Sequence, residues 1–555
     1  MNRHVIVLCL VFGWISGCAG APTQPERFIG TELPFASDAV YFVVTDRFVD
    51  GDPLNNYEAQ GGEFATFDRP VAHPDGGHGN IGYLGGDFRG LADQASYIAD
   101  MGFTAVWLTP VVENPDEAFS GGQALGEGFF ADKGKTGYHG YWGVNFFVED
   151  EHLVSDGFEF SDLADALHAQ DLQVVLDIVC NHGSPAFSMP VDQPMFAELY
   201  DQDGTLVADH MNLSPDALRD DEPLHEFFLR EEDIAQLSNL DENNPAVLDY
   251  FVRAYSHWIE QGADAFRIDT IRHMPDHFWA AFAEQIRSRY PGYFMFAESF
   301  DYEASSIARH TLPENGAIRV LDFPQQKVMR DVFGSRDAGF ELMSDVLHLD
   351  DQVYQNPYEL MSFYDNHDMP RLDADPQGFI NANNWLFTSR GIPVVYYGSE
   401  IGFRAGRQEH AGNRDYFGTD NITVAKTSVV RERLARIAHL RQALPALQRG
   451  LQVNLLLEDH RAAFLRVLQT DEIRQMALVL LNKGDRAATF DIAVPGDPTG
   501  WRDASERDSS MTQAALSPLN AIVAPNDVRV FVFDGPIADA ELLKALRRLQ
   551  RTANR

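Results

Sequence analysis

The chain has 555 residues, of which 45% are hydrophobic and 12% aromatic, and its formal net charge is −40. This length exceeds what one hydrophobic core organises, so we expect two or three domains. The negative charge argues against nucleic acid and anionic lipid as partners of the folded surface. A neutral substrate and a divalent cation remain compatible with it, as does plain solubility.

Residues 1–18 have the pattern of an export signal. A basic start at Arg3 precedes an apolar run, Val5 to Ile15, that is too short to span a bilayer as a stable helix. The next residues, Ser16-Gly17-Cys18, complete a segment that resembles the bacterial lipobox, whose cysteine is lipidated and becomes the first mature residue. An ordinary signal peptide with an incidental cysteine is the alternative. We expect an exported, membrane-anchored lipoprotein of the outer membrane, periplasm or cell surface, with residues 19–36 as a tether.

Between residues 37 and 440, short β-rich runs alternate with amphipathic helical patterns. This alternation over such a length predicts an α/β fold, a (β/α)8 TIM barrel, rather than an open sheet. The helical patterns include Leu91–Met101, Phe160–Gln170, Val247–Gln261 and Phe278–Tyr290. The eight strand candidates are Ala39–Thr45, Phe103–Leu108, Gln173–Ile178, Asp264–Ile268, Tyr293–Ala297, Ala317–Leu321, Glu359–Tyr364 and Ile392–Tyr396.

Two intervals within the barrel are too long for tight connections. Residues 183–244 are polar and irregular, and we expect them to form an inserted subdomain after the third strand. The barrel would then comprise residues 37–182 and 245–440. A second, glycine-rich excursion follows the second strand, from Val111 to Trp142.

The pattern changes after the barrel. Residues 441–535 contain period-two runs separated by turn residues, which predicts a separate antiparallel β domain. Residues 536–555 form a basic amphipathic helix with Leu542, Leu546 and Leu549 on one face. This helix either packs its leucines on the body of the protein or contacts a membrane.

Four strand candidates end in charged or polar residues. In a barrel the carboxyl ends of the strands line one face, which carries the active site, so Asp177, Asp269, Glu298 and Asp368 are expected to converge. Converging carboxyl groups suit glycoside hydrolysis, in which one acts as acid and another as nucleophile. Each carboxylate alone is equally typical of a helix cap or a surface charge. The four segments are VVLDIVCNH (174–182), ADAFRIDTIRH (263–273), YFMFAES (293–299) and LMSFYDNHD (360–368).

These four segments, in this order and spacing, resemble the signature regions of the α-amylase family of retaining glycosidases. LSNLD (237–241) is similar to that family's short motif near the end of the inserted subdomain, and the likeness covers Ala39 to Phe403. The resemblance implies three catalytic residues. Asp269 would be the nucleophile, Glu298 the general acid and then base, and Asp368 would bind sugar hydroxyls and stabilise the transition state.

The resemblance also implies the residues around these carboxyls. Arg267 would keep Asp269 ionised by charge pairing, and Glu298 should have a raised pKa, since it must first be protonated. Asp177 would organise the site from behind. The remaining implied substrate-binding residues are His182 and His367, the pair His139 and Tyr141 in YHGYW (138–142), and Phe300 and Arg272 on the acceptor side. As an alternative interpretation, the histidines are buried residues whose hydrogen bonds are satisfied within the protein. Tyr141 and Trp142 would then be ordinary core aromatics.

VTDRFVDGDPLNN (44–56) and GGD (85–87) resemble the cyclodextrin glucanotransferases and their bacterial amylase relatives. Hard oxygen donors in a tight loop suit calcium, although an Asx-turn loop with solvated acids is the alternative. The implied ligands of Ca2+ are Asp50, Asp52, Asn55, Asn56, the Gly85 carbonyl and Asp87. A second calcium site would use Asn181, Asn239 and the His273 carbonyl, but Asn239 stands where the family usually has Asp.

These features together predict hydrolysis of α-1,4-glucosidic bonds in starch or maltodextrins with retention of configuration. Cyclodextrin-forming enzymes carry a bulky aromatic four residues before the Asn239 position, where this chain has Ala235, and further domains after the β domain. Both differences favour hydrolysis over the alternative, a glucanotransferase that forms or degrades cyclomaltodextrins. A rival of another class is a maltodextrin-binding surface lipoprotein without catalysis, which would have no need of both Asp269 and Glu298.

Overall fold

The computed structural model describes residues 26–72, 78–123, 132–335, 337–403, 413–493, 495, 500–505 and 520–553. The predicted signal peptide and its lipobox lie outside these residues. The described end of the predicted tether is packed, because Phe28 is buried and forms a bridge with Gln469. The side chain of Gln550 bonds both the backbone N–H and the carbonyl of Ile29, at 2.7 and 2.9 Å. Residues 28–36 therefore belong to the folded body rather than to a tether.

Eight parallel strands form the barrel, as predicted. In spatial order they run from the sixth back to the first, followed by the eighth and the seventh. A parallel bridge between Leu321 and Met361 joins the two edge strands, so the sheet closes on itself. The strands are Val40–Val43, Ala105–Leu108, Gln173–Ile178, Ala265–Ile268, Phe294–Ala297, Arg319–Val320, Met361–Ser362 and Ile392–Tyr396.

The barrel strands are buried on both faces, which explains their continuous apolar sequences. Helices cover the outside of the barrel. In one of them, which starts at Phe160, a capping box of Glu159 and Asp162 fixes the first turn. Its apolar face is buried, as expected of an amphipathic helix. The single helix predicted over Leu91–Met101 is instead two, which meet at Gln94. The α-helices are Thr45–Phe48, Phe88–Asp93, Ala95–Ala99, Phe160–His168, Pro245–Glu260, Asp276–Arg289, Ala304–Ala308, Phe323–Gly334, Ser344–Leu347, Pro376–Thr388, Gly418–Ala425, Val429–Ala443, Pro445–Arg449 and Ala540–Ala553.

Short 3-10 helices occupy many of the connections. They are Pro34–Ser37, Pro53–Asn55, Pro215–Ala217, Pro223–His225, Ile271–His273, Arg309–Thr311, Pro313–Asn315, Phe340–Met343, Pro357–Glu359 and Ser399–Ile401. A small hairpin of Pro70–Ala72 and His78–Asn80 lies between the first two barrel strands.

The two long excursions form one unit. Val112–Glu113 in the first excursion and Asn145–Glu149, which follows it, form a four-stranded sheet with Glu198–Tyr200 and Leu206–Asp209 of the second. A cluster of Phe119, Trp142, Met189 and Phe196 packs between them. A separate pair, His182–Pro185 with Leu237–Asn239, starts directly after the third barrel strand. The inserted subdomain is thereby attached at the carboxyl end of the barrel.

The C-terminal part is an antiparallel β domain, as predicted. Its five-stranded sheet consists, in spatial order, of Leu451–Glu458, Arg461–Gln469, Arg474–Asn482, Asp527–Asp534 and Arg502–Asp503, and Ala488–Asp491 pairs with Asn520–Val523. The helix Ala540–Ala553 buries Leu542, Leu546 and Leu549 in the core of this domain. Within the described ranges, no helix combines the length and the apolar character needed to cross a membrane.

Candidate active site

Arg267 is the centre of a buried cluster of carboxyl groups at the carboxyl ends of the barrel strands. Its side chain is inaccessible to solvent, and its Nη1 atom donates to Asp269 Oδ1 at 2.7 Å and to Asp177 Oδ1 at 2.9 Å. Its Nη2 atom lies 2.9 Å from Glu298 Oε2. Burial alone would lower the pKa of Arg267, but the three carboxyl groups outweigh it and raise this pKa. The guanidinium is therefore a permanent cation that three acids share.

One cation does not balance three buried carboxylates, so part of the cluster retains a proton. Burial raises the pKa of Glu298 to about 8; Arg267 opposes this shift, and the charges of Asp368 and Asp269 add to it. Burial likewise raises the pKa of Asp177 to about 7 against the pull of Arg267. The Glu298 carboxyl thus has the protonation state that a general acid needs near neutral pH.

A hydrogen-bond network holds Asp177 behind the cluster. Its Oδ2 atom accepts from Trp107 Nε1 at 3.0 Å and from the Tyr141 hydroxyl at 2.8 Å. The same hydroxyl lies 2.8 Å from Nε2 of His367, whose ring stacks on that of Tyr141. Trp107, from the second barrel strand, was not predicted as a site residue, because in the sequence it is indistinguishable from a core aromatic.

Asp368 is the most exposed of the four carboxyl groups, with 34% of its side chain accessible. Arg414 Nη2 lies 2.7 Å from its Oδ1 atom, and Arg414 Nε donates to the carbonyl of His367 at 3.1 Å. Arg414 was missed in the sequence, where the only signal is a polar stretch that follows the eighth strand. The contact couples the ends of the seventh and eighth strands.

The cluster opens into a cleft of about 230 Å3. Lys135 and Arg414 add two cations to its wall, and neither was predicted. His139 accepts from the Tyr141 backbone N–H through Nδ1, and burial lowers the pKa of His182, which favours its neutral form. The residues that line the cleft are Lys135, His139, Tyr141, Trp142, His182, Ile234, Leu237, Asp269, Thr270, Glu298, His367, Asp368 and Arg414.

The two residues predicted on the acceptor side, Phe300 and Arg272, lie outside this cleft. Phe300 is 50% exposed, and Arg272 Nη1 donates to its carbonyl at 2.5 Å. Arg272 also pairs with Asp301 at 3.3 Å. The two residues stand together beside Glu298, whereas the other predicted site residues converge on Arg267 and the cleft.

The residues of the first predicted calcium site fit a hard cation. The side-chain oxygens Oδ1 of Asp50, Asn55 and Asn56 are buried and have no hydrogen-bond partner within the described ranges. Such oxygens cost about 1–3 kcal/mol each when left unsatisfied, and a bound cation would remove that cost. Gly85 has a φ of +87°, and a Cβ there would collide with the Asn56 amide oxygen.

Asp87 and Asp52 differ from the other members of this set. Both oxygens of Asp87 accept hydrogen bonds, from the backbone N–H groups of Gly51, Asp52 and Gly90 and from Asn55. Asp52 Oδ1 accepts from Leu54 N. Asp87 therefore also shapes the loop and begins the helix Phe88–Asp93.

The residues of the second predicted calcium site do not fit a cation in the arrangement that the structure gives them. The amide nitrogen of Asn181 donates to the His273 carbonyl and to Asp233 Oδ2, each at 3.3 Å, and Asn239 Oδ1 accepts from Ile234 N. Asp233 in turn lies 3.0 Å from Nδ1 of His273. The Asn181 amide nitrogen and the contact of Asp233 with the His273 ring thus occupy the space between barrel and subdomain. Asp233 was missed in the sequence, because it lies four residues before the motif, in an acidic run.

Comparisons with known proteins agree with the resemblance to the α-amylase family. The family model described as the alpha-amylase catalytic domain matches residues 42–433. A cyclomaltodextrin glucanotransferase from Niallia circulans is 30% identical over 458 residues, which cover 80% of this chain and 59% of that protein. A beta/alpha-amylase from Paenibacillus polymyxa is 26% identical over 90% of this chain and 38% of its own length. The chain thus spans well under two thirds of these relatives.

Among solved structures, CldA is described as the first cyclomaltodextrin glucanotransferase with a three-domain ABC distribution. It superposes with a TM-score of 0.70 at 28% identity and covers 90% of this chain and 99% of its own. The match of the family model runs from the first barrel strand into the helix Val429–Ala443 and includes Asp177, Asp269, Glu298 and Asp368. We conclude that the chain belongs to the alpha-amylase family of glycoside hydrolases and transferases.

Proposed function

We propose that the protein hydrolyses α-1,4-glucosidic bonds in starch-type glucans and maltodextrins with retention of the anomeric configuration. The observation that carries this proposal is the shared guanidinium of Arg267, which contacts both Asp269 and Glu298. Arg267 places its positive charge 2.7 Å from Oδ1 of the proposed nucleophile Asp269, while burial raises the pKa of Glu298 to about 8 and so keeps a proton on it. One anionic and one protonated carboxyl are the pair that retaining glycosidases require.

The reaction then proceeds in two displacements. Asp269 attacks the anomeric carbon, and Glu298 gives its proton to the glycosidic oxygen as the bond to the leaving sugar breaks. A covalent glycosyl-enzyme forms. Glu298, now ionised, takes a proton from water, whose oxygen attacks the anomeric carbon and displaces Asp269. Each displacement inverts the configuration, so the product keeps that of the substrate.

The walls of the cleft supply the substrate contacts of this proposal. The rings of His139, His182 and His367 line the cleft where sugar hydroxyls would bind, and Asp368 offers a carboxylate that is 34% exposed. Tyr141 lines the same cleft as the proposed nucleophile Asp269, with its ring stacked on that of His367. Polar groups around an aromatic surface are the usual composition of a carbohydrate-sized pocket.

Hydrolysis and transfer share this chemistry and differ in what attacks the glycosyl-enzyme. A glucanotransferase is the second candidate, because cyclomaltodextrin glucanotransferases are among the relatives. The number of domains does not separate the two, since the three-domain CldA matches almost its whole length. Ala235 favours hydrolysis. It lies beside the cleft residue Ile234, and its small side chain offers no ring around which a glucan chain would curve.

Calcium and a lipid anchor complete the proposal. Asp50, Asp52, Asn55, Asn56, Gly85 and Asp87 would hold Ca2+, which would supply structural stabilisation of the loop that begins the first barrel crossover. Cys18 would be lipidated after export and would hold the protein at a membrane. We expect a neutral α-glucan as the partner and no binding of nucleic acid.

A reducing-sugar assay with soluble starch and maltoheptaose tests the function. We expect turnover by the purified protein, and chromatography should show linear maltooligosaccharides. Binding of maltoheptaose without turnover would instead support the binding-protein alternative, and abundant cyclic products would support the transferase.

A further inference from the structure

Three phenylalanine, tyrosine or tryptophan side chains are exposed in the described part of the chain: Tyr57, Phe300 and Tyr302. Phe300 and Tyr302 stand together two and four residues after Glu298, with exposed fractions of 50% and 38%. Exposed aromatic rings that lie side by side are costly unless a ligand covers them. Their position beside the proposed general acid points to the substrate.

The two rings are arranged as a pair. Their centroids are 5.6 Å apart at an interplanar angle of 63°, and Phe300 makes an edge-to-face contact with the buried Phe323 at a centroid distance of 5.0 Å. Lys327, one turn further along the helix from Phe323, lies 5.0 Å from the ring centroid of Tyr302. Both rings are thus supported from one side while part of each remains open to solvent.

The backbone that carries the rings is fixed. Ser299 is fully buried, and Arg272 bonds the carbonyl of Phe300. Asp301 accepts from Glu303 N at 3.0 Å and from Ser306 Oγ at 2.7 Å. A surface that is ordered before the ligand arrives loses little conformational entropy on binding.

The rings follow the proposed general acid along the chain but do not line the cleft. The groups proposed to hold the reacting sugar, among them Tyr141, His367 and Asp368, line the cleft, whereas the described lining includes neither Phe300 nor Tyr302. Glu298 connects the two regions along the chain, because it lines the cleft and directly precedes Ser299. As the acid it must face the oxygen of the departing chain.

We infer that Tyr302 extends an aromatic platform, begun by Phe300, on which the leaving-group end of a long α-glucan stacks outside the cleft. The inference rests on the proposed glucan-cleaving function and adds a specificity-determining residue to it. Tyr302 would then select for substrates with several sugars beyond the cleaved bond, and it would act on binding rather than on the chemical step.

The test compares Tyr302→Ala and Tyr302→Phe with the wild type on two substrates. Maltoheptaose reaches the platform, whereas 4-nitrophenyl α-maltoside places a single aryl ring after the cleaved bond. For Tyr302→Ala we expect the KM for maltoheptaose to rise about fivefold with kcat nearly unchanged. The aryl maltoside should keep its kcat/KM, and Tyr302→Phe should behave as the wild type on both. Ile522→Ala, at an exposed position of the C-terminal domain, is the control and should change neither substrate.

The outcomes separate the inference from the function on which it depends. Unchanged maltoheptaose kinetics in Tyr302→Ala, or an equal loss on both substrates, would overturn the platform while the function stands. Absence of turnover of both substrates by the wild type would overturn the function itself. As a second readout, maltoheptaose binding to Glu298→Gln should weaken about fivefold when Tyr302→Ala is added.

Discussion

The guanidinium of Arg267 donates to Oδ1 of Asp269 at 2.7 Å, although only one residue separates the two positions in the chain. Alternate residues of a strand point to the same face, so the fourth barrel strand delivers both side chains to the interior of the barrel. Breaking a buried ion pair by removal of one partner typically costs about 3–5 kcal/mol. Substitution of Arg267 therefore confounds folding with catalysis, and the carboxyl groups are better targets.

We predict that Asp269→Asn and Glu298→Gln each lower kcat on maltoheptaose by about 10³-fold or more, because one lacks the nucleophile and the other the proton donor. The circular dichroism spectrum should remain that of the wild type. Asp264→Asn is the matched control, since Asp264 precedes the other end of the same strand and bonds Val174 N. Near-normal turnover by either active-site variant would disprove its assignment.

The pH profile should report Glu298. Its pKa of about 8 means that the acid form is lost as pH rises through that value, so kcat/KM should fall on the alkaline side of about pH 8. The charge of Asp368 contributes to the raised pKa, so Asp368→Asn should lower the pKa of Glu298 and move this alkaline limb to lower pH, in addition to lowering the rate. Profiles of kcat/KM measured from pH 5 to 10 show in which direction the alkaline limb moves. A shift to higher pH in Asp368→Asn would contradict the proposed coupling.

Calcium should stabilise the protein through the loop of Asp50 and Asn56. A ligand that binds only the folded state at 100 times its Kd adds about 2.7 kcal/mol, so a chelator should lower Tm. Asn56→Ala should abolish that difference, because it removes an oxygen that is buried without a partner in the described structure. Asp87→Ala is a poorer test, since Asp87 also holds three backbone N–H groups.

Asp203→Asn, in an exposed loop, serves as the control for this experiment and should keep the full chelator response. Native mass spectrometry should count one tightly bound calcium per chain rather than two, because at the second location the amide nitrogen of Asn181 donates to the His273 carbonyl and Asp233 contacts the His273 ring. Two bound ions, or a chelator response that Asn56→Ala leaves intact, would contradict these assignments.

Cys18→Ser should release active enzyme from the membrane fraction, since the lipid would be attached at that thiol. Cys9→Ser, in the apolar run of the same leader, is the matched control and should leave the enzyme in membranes. Fractionation followed by activity assay reads the result. Equal distribution of wild type and Cys18→Ser would indicate an ordinary signal peptide.

The first products should be linear maltooligosaccharides in the α configuration, which proton NMR detects before mutarotation. Ala235→Tyr should raise the proportion of cyclic or transfer products by adding an aromatic surface beside the cleft. Ala235→Leu controls for bulk without a ring and should not do so. Initial β-anomers would exclude Asp269 as nucleophile, whereas abundant cyclic products from the wild type would replace hydrolysis by transfer as the main activity.

Local pattern was sufficient to predict the barrel and its carboxyl groups. Buried parallel strands are read as continuous apolar runs, and the acidic residue that ends such a run must lie at one face of a closed barrel. That rule places four carboxyl groups at this face, those of Asp177, Asp269, Glu298 and Asp368. The C-terminal β domain was predicted separately, from its period-two runs. The alternation of strands with helices along the chain was sufficient to predict how the strands are ordered in the barrel.

Contacts between distant segments were decided by the tertiary structure alone. Arg414 reaches Asp368 across 46 positions, Asp233 reaches His273 across 40, and the two excursions share one sheet. The raised pKa of Glu298 was expected from its role, yet its physical cause, burial beside the charges of Asp368 and Asp269, exists only once the barrel has closed. Sequence periodicity reports which face of an element is buried, whereas pairing across loops depends on where the whole chain has brought each side chain.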